Sequence, residues 1–394
     1  MKKLMILGAG IYQVPLIRKA KEMGLYTVVV SIPGDYPGFA LADRIYPLDT
    51  RDRGGILQAA REENISGICT AGTDVAVAAV GYVCDQLGLS GISAGAAETV
   101  TDKWKMKEAF QRGSVSTAAF RRVFSLEDAK DAASRFGYPV CLKAVDKSGS
   151  RGIQKVSSPE EMERAWQVSR SVTDRDYLLV EEFIDAHEIG VDGFIKDGRP
   201  VLLVPHDKFV YRAGNVTIPG GHRFPYDASP TLLEELSRQI TNAVRAVKMD
   251  NCPFNADVFV RDGKVWLIEI GGRSGATCIP ELMSIYCGFS YYERMIRAAL
   301  GEPVDFPIRD KRPCMAKLLF SEREGILKAI DSKVLKSLNT DKISWHLDLS
   351  PGDRIPKVHN GTDRIGHLIM EGSDENLLDR KLETLRNALV IEKS

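Results

Sequence analysis

Residues 254–273 read FNADVFVRDGKVWLIEIGGR. Val258, Val260, Val265, Leu267 and Ile268 favour strands, and Asp262-Gly263 between them is a strong turn signal, so the stretch is read as a hairpin. Asp257, Glu269 and Arg273 give it two carboxylates and a terminal guanidinium. Side chains alternate between the faces of a strand, so register decides whether the acids meet. With Asp262-Gly263 alone as the loop, Asp257 sits opposite Ile268 and Glu269 points to the other face. With a three-residue loop, Arg261-Asp262-Gly263, Asp257 lies opposite Leu267 and Asn255 opposite Glu269, and all three share a face. A hard cation such as Mg²⁺, which takes carboxylate and phosphate oxygens, requires the second register. The alternative is a solvated polar face on an edge hairpin, and the hairpin by itself leaves both open.

Around this hairpin lie 394 residues, enough for two or three domains with their own cores. Lysine plus arginine and aspartate plus glutamate number 53 each, so the formal charge is zero. With no basic block carrying interleaved aromatics, neither nucleic acid nor a membrane is expected as a partner. The opening MKKLMILGAG passes for a signal peptide only as far as Gly8, where it turns into strand–turn–helix instead of a cleavage site. No apolar run is long enough to span a bilayer. Seven cysteines, an odd number without a CxxC pair, sit mostly in apolar runs such as Val140-Cys141-Leu142, so free buried thiols and a cytoplasmic location are expected. Cys278 lies close to Arg273, but packing is the ordinary role of such a thiol. The six histidines show no zinc spacing.

Residues 1 to about 100 alternate strands (4–7, 27–31, 67–70) with helices (12–23, 55–63, 75–87), which predicts a Rossmann-like parallel sheet. An α+β region follows, with helices near 126–136, 159–170 and 231–247. Its strands are expected near 139–143, 177–184, 189–195, 200–205, 256–260 and 265–270. Glu302-Pro303 and Phe306-Pro307 mark a boundary, beyond which a small mixed domain ends in an amphipathic helix, 376–389. The expected class is α/β and α+β in three parts, 1–115, 116–301 and 302–394.

Gly8-Ala9-Gly10 opens like a dinucleotide fingerprint, but Gln13 stands where the third glycine belongs, and the second strand ends in Ser31 instead of an acid. Both departures point away from NAD and leave a crevice where a small ligand can approach the backbone. Farther on, Lys143 ends a strand and precedes Asp146-Lys147-Ser148-Gly149-Ser150-Arg151-Gly152. A lysine on a rigid strand is a fixed charge for phosphate. A small, basic, glycine-bearing segment can fold over a triphosphate and offer backbone N–H groups. It is not GxxxxGK[ST], which excludes the P-loop fold, and by itself it reads sooner as an ordinary surface loop. Val180-Glu181-Glu182-Phe183-Ile184 and then Glu188 can hold a purine, with a carboxylate for the exocyclic amine, backbone groups for the ring edge and a later acid for the ribose. Alone, they are charged residues at a strand end.

The order of these pieces is specific. Gly8-Ala9-Gly10, Asp102-Lys103 before a helix, Pro139-Val140-Cys141-Leu142-Lys143 with its basic loop, Val180–Ile184 with Glu188, Asp257, and Glu269-Ile270-Gly271-Gly272-Arg273 follow one another along the chain. In this it resembles the ATP-grasp superfamily over essentially its whole length. Within that superfamily it is similar to carboxylate–amine ligases, which include L-amino-acid (dipeptide) ligases. The resemblance implies a central two-lobed ATP-grasp domain and the cofactors ATP and Mg²⁺, with Mn²⁺ as a substitute. It implies Lys103 and Lys143 on the ATP phosphates and Ser148, Gly149, Ser150, Arg151 and Gly152 as the phosphate loop. It implies Glu181, Glu182, Phe183 and Ile184 at adenine and Glu188 at ribose. Asp257 and Glu269 would bind metal, with Glu269 bridging two ions, and Arg273, with Lys143, would stabilise the transferring phosphoryl group. The family commonly has Asn two residues after the bridging glutamate. Gly271 stands there in this chain, so a second ion loses an amide ligand that Asn255 or water would have to replace.

The implied reaction activates a carboxylate as an acyl phosphate, which an amine then attacks. Ser274 and Gly275 are small enough to line an acyl pocket. Tyr211–Asn215 and Pro219–His222 are read as loops between core strands, with Arg212 toward a substrate carboxylate and His222 as a polar candidate. The expected partners are a small carboxylate and a small amine, and the aromatic stretch Tyr286–Tyr292 offers surface for a homodimer. One competing reading is a carboxylase-type or purine-pathway enzyme that activates bicarbonate or formate. Another is a non-catalytic nucleotide-binding protein, which the retention of Asp257, Glu269, Arg273 and both lysines argues against.

Overall fold

The computed structural model describes residues 1–392 apart from 148–150, 214–215, 322, 339 and 360. At the N-terminus the strands Arg44–Pro47, Tyr26–Ser31, Lys3–Leu7 and Gly67–Cys69 form a parallel sheet in that order. Leu4, Met5, Ile6 and Leu7 are all fully buried, as expected of a parallel strand covered on both faces. The exposed strand Arg44–Pro47 and the short helix Ala94–Val100 escaped the sequence pattern, the first because its residues are mostly solvated and unpatterned.

Two antiparallel sheets make up the central part. The smaller has the strand order Phe120–Val123, Leu178–Glu182, Val140–Lys143, Ile153–Val156, and the helices Leu126–Phe136 and Met162–Arg170 pack on it. The larger has eight strands, in the order Lys264–Gly271, Cys252–Arg261, His187–Lys196, Arg199–Ala213, Val216–Phe224, Cys314–Leu319, Gly366–Glu371 and Ile343–Leu347. A third, small sheet and the helix Glu375–Asn387 complete the C-terminal part. Among the described residues, no helix is long and apolar enough to cross a membrane.

Two expectations are corrected here. Tyr211 and Pro219–His222 lie in paired strands, not in loops, with Tyr211 opposite Ile218 and Lys208 opposite His222. Gly221 serves close strand approach, since a Cβ there would stand 2.0 Å from the Ala316 carbonyl oxygen of the neighbouring strand. Asn215 lies outside the described residues. Within Tyr286–Tyr292 the expected aromatic surface is reduced to the half-buried Tyr286 and Phe289: Tyr291 and Tyr292 are buried, and the Tyr291 hydroxyl donates to the Gly193 carbonyl at 2.6 Å.

The hairpin forms by a route other than the one expected. Arg261 pairs with Lys264, so the turn is Asp262-Gly263 alone, both at positive φ. Such a turn on a regular ladder would drive Glu269 to the wrong face. Instead the register slips between Asp257 and Val258, which face Glu269 and Leu267, and Ile268 is the extra residue of a bulge. Asp257 and Glu269 are therefore direct cross-strand partners. Burial follows the slip: Val265, Leu267 and Ile270 face the core with Ala256, Val258 and Val260, whereas Ile268 and Glu269 are consecutive half-buried positions.

Candidate functional site

A cleft of about 900 Å³ opens between the N-terminal sheet and the hairpin. Gly8, Gly10, Gln13, Ser31, Tyr36 and Arg51 line one side; Lys103, Lys147, Arg151, Asn255, Glu269, Gly271 and Arg273 line the other. The helix Lys103–Arg112, capped by Asp102 through the N–H groups of Trp104 and Lys105, fixes Lys103 at its first turn. Lys103 Nζ lies 3.1 Å from Glu269 and donates to the Lys147 carbonyl at 2.9 Å. The charge of Lys103 holds the Glu269 carboxyl down to about 2.

Opposite Glu269, Asp257 is paired at 2.5 Å with Lys208, which also donates to Glu188 at 2.7 Å. Burial pushes the Asp257 carboxyl up against the pull of Lys208. On Lys208 burial opposes the charge, but Asp257 and Glu188 outweigh it and raise its pKa. Among the described residues no cluster of three or more histidine, cysteine, aspartate and glutamate side chains forms. The protein thus offers two facing carboxylates. That hard-oxygen set fits Mg²⁺, which completes its shell with phosphate oxygens and water. Asn255 is committed elsewhere, as described below.

On the smaller sheet, Glu181 is buried between two lysines. Lys143 donates to its Oε2 at 2.8 Å, and Lys107 stands at 3.3 Å. Burial disfavours the Glu181 charge, but Lys107 and Lys143 more than compensate and lower its pKa. The other oxygen, Oε1, is buried with no hydrogen-bond partner, an acceptor suited to an exocyclic amine. Lys107 also donates to Thr117 at 2.5 Å, and burial brings its pKa down to about 8. Glu182 is exposed, and its N–H donates to the Ala119 carbonyl; Ile184 is buried, and Phe183 lies under Lys155 at 4.0 Å.

Arg273 ties the two sides of the cleft together. Its Nε and Nη2 chelate Asp74 of the N-terminal part at 2.8 and 2.9 Å, and its Nη1 donates to Asn255 Oδ1 at 2.7 Å. Asn255 Nδ2 donates to the fully buried Asp192, which also accepts from the Gly275 N–H and pairs with His206. Ser274 bridges to Ala71 and is fully buried, with its hydroxyl unpartnered. Gly271 has a steric reason: a Cβ there would come within 2.9 Å of Asp74 Oδ1. The glycine leaves room for the carboxylate that grips Arg273.

The sequence candidates separate clearly. Lys103, Arg151, Glu269 and Arg273 line the cleft, whereas Lys143, Glu181, Glu188, Asp257, Ser274 and Gly275 pack around it. Gly152, at φ +72, accepts from the Ala144 N–H. Ser148, Gly149 and Ser150 lie outside the described residues. Arg212 and His222 do not line the cleft. Arg212 is exposed on its strand, and His222 is buried edge-on to His206, with burial holding its pKa well below the usual range. Cys278 is buried, and burial raises its pKa, which fits packing. Lys107, Lys208, Asp192 and Asp74 were not singled out in the sequence. Lys107 had a signal, a lysine four residues after Lys103 beside Met106 and Phe110 on an apolar helix face; Asp74 had none, because its partner is 199 residues away.

Comparison with known proteins follows these lines. Residues 136–281 match the ATP-grasp domain, and residues 317–393 match the L-amino acid ligase C-terminal domain 2. The structure superposes on phosphoribosylglycinamide synthetase from Anaerococcus prevotii with a TM-score of 0.83 and 30% identity, covering 100% of both chains. It superposes on L-amino acid ligase from Bacillus licheniformis with a TM-score of 0.81, covering 100% and 99% of the two chains, and at 19% identity this shows the fold alone. A formate-dependent phosphoribosylglycinamide formyltransferase of Sulfurovum sp. is 24% identical over 324 residues, 80% of each chain.

Two measurements test this geometry. Gly271→Asn, which installs the amide common in the family, is expected to lower kcat by about tenfold or more through displacement of Asp74, a packed and charged neighbour; an increase in activity would refute the steric account. The second concerns Lys107, which faces Glu181, Lys143 and Glu269. Its folded pKa lies below the unfolded value, so between about pH 8 and pH 10.5 the unfolded chain binds more protons at this site, and stability from this group rises with pH. Denaturant unfolding of wild type and Lys107→Met should show the difference between them moving in favour of wild type across that range, and a constant difference contradicts the assignment.

Proposed function

The chain belongs to the ATP-grasp family, and we propose that within it the protein is a carboxylate–amine ligase. It uses ATP to phosphorylate a small carboxylate, preferably an amino acid. The acyl group then passes to a small amine, with release of ADP and phosphate. The observation that carries this reading is the assembly of Lys103, Glu269 and Arg273 on one wall of a cleft whose other wall is the N-terminal sheet. Charges fixed on strands and helix ends supply electrostatic stabilisation of a phosphoryl group without reorganisation. The match of residues 317–393 to an L-amino acid ligase domain supports the amino-acid preference, and the seven free thiols suit a reducing cytoplasm.

ATP-grasp enzymes use ATP with Mg²⁺. Asp257 and Glu269 would hold the ion, which neutralises phosphate charge when bound, and Mn²⁺ is the natural substitute. Lys143, held by Glu181, and Lys103, held by Glu269, would meet phosphate oxygens. Glu181 Oε1 would accept from adenine, and Glu188 from the ribose. Arg273, positioned by Asp74 and Asn255, would face the acyl phosphate as the carboxylate oxygen attacks the terminal phosphorus. The amine then attacks the acyl carbon, phosphate leaves with the C–O bond electrons, and the amine nitrogen loses a proton.

A second reading is activation of formate or bicarbonate, favoured by the likeness to the formate-dependent enzymes. ADP release measured across amino-acid pairs, formate and bicarbonate, with mass spectrometry of the product, separates the two. Amino-acid-dependent release with a condensed product supports the first, and formate-dependent release without it supports the second. Glu269→Ala is expected to lose Mg²⁺-dependent turnover by at least about a hundredfold while keeping its fold by circular dichroism. Normal ADP release by that variant would remove Glu269 from the metal site.

A further inference from the structure

Gly8-Ala9-Gly10 joins the first strand to the helix Val14–Glu22. Such turns commonly seat a phosphate on the free N–H groups of the turn and of the first helical residues. In this chain several of those donors are already engaged. The Gly8 N–H donates to the Val30 carbonyl at 2.7 Å, and the N–H groups of Gln13 and Val14 both donate to the Gly10 carbonyl, at 2.9 and 3.3 Å. Pro15 in the first turn has no N–H to offer. The Gly10 N–H donates at 3.0 Å to the side chain of Gln13, whose Nε2 in turn donates to the Ala71 carbonyl at 2.5 Å. Gln13 is only 6% exposed, and a Cβ on Gly8 would lie 2.9 Å from its amide carbon. The amide is thus fixed at both ends against the turn.

The charge on the neighbouring wall is already paired. Arg51 chelates Asp49 through Nε and Nη2, at 3.1 and 2.7 Å. The other polar side chains on that side are Ser31, Tyr36, Thr50, Thr73 and Asp74, the last held by Arg273.

We propose that Gln13 is a specificity-determining residue that closes the N-terminal side of the cleft to phosphorylated acceptors. The amine substrate is then an unphosphorylated one, an amino acid or short peptide, and not a phosphoribosyl amine. The identification of this side as the acceptor side rests on the ligase reading; the occupation of the turn by Gln13 does not.

Ribose 5-phosphate is the probe, titrated calorimetrically into the full chain as wild type, Gln13→Ala and Gln13→Gly, with folding of each checked by thermal melting. Wild type is expected to bind at least about tenfold more weakly than the variants, the scale of one charge-assisted hydrogen bond. Equal affinity in wild type and variants, measurable or not, overturns the proposal. So does wild-type binding tighter than about 1 mM, whether or not the variants fold. Acid-dependent ADP release with hydroxylamine as the amine tests the ligase reading separately, because hydroxylamine carries no phosphate. If that release is absent, the ligase reading falls and the ribose 5-phosphate titration still decides the role of Gln13. If wild type instead turns over a phosphoribosyl amine, the role of Gln13 falls and the ligase chemistry stands.

Discussion

A carboxylate removed from water keeps its charge only where donors replace the solvent. Asp192, with no exposed surface, imposes that constraint at the centre of the large sheet. His206, Asn255 and the Gly275 N–H surround it. Satisfying Asp192 turns the other end of the Asn255 amide toward Arg273, and Arg273 reaches Asp74. An unbroken line of donors and acceptors therefore runs from the antiparallel sheet to the loop that follows the strand Gly67–Cys69 of the parallel one. The glycines along it are spatial requirements: at Gly190 a Cβ would stand 2.1 Å from the His206 ring, and at Gly271 one would crowd Asp74.

Much of this was legible in the sequence, for reasons that can be stated. The hairpin, the first strand and the helix at 126–136 announce themselves by apolar periodicity and turn residues, which are local properties. The bulge was legible in principle: Val265 and Leu267 alternate and Ile270 breaks step, so a regular ladder would have buried Glu269. Turn chemistry alone misled, because it fixes the loop and not what happens farther down the strand. The residues 211–222 misled in the other direction. Pro219, Gly220 and Gly221 look like loop residues, yet Gly221 is where a neighbouring strand comes too close for any side chain. Asp74 and Lys208 were invisible for a third reason: their meaning lies wholly in partners distant in sequence, and no window along the chain contains both members of the pair.

The neutral composition conceals a local excess. Lys103, Lys107, Lys143 and Lys208 each stand against a carboxylate of the candidate site, and all four side chains are less than one-sixth exposed to solvent, at 14%, 1%, 9% and 14%. Glu269, Glu181 and Lys208 are held ionised by their partners in a place where isolated charges would neutralise, whereas burial prevails at Asp257 and Lys107. An array of that kind already carries the alternating polarity that a polyphosphate with its metal requires.

The Asp74–Arg273 pair also has a thermodynamic consequence. It links a side chain from each wall of the cleft and spans 199 residues of sequence. A molecule that contacts Asp74 alters the hold on the guanidinium, and one that draws on Arg273 alters the hold on the carboxylate. Free-energy coupling is reciprocal, so whatever factor the first lends to the affinity of the second is returned in full. Any coupling that this pair carries between the two halves of the cleft is therefore the same in both directions.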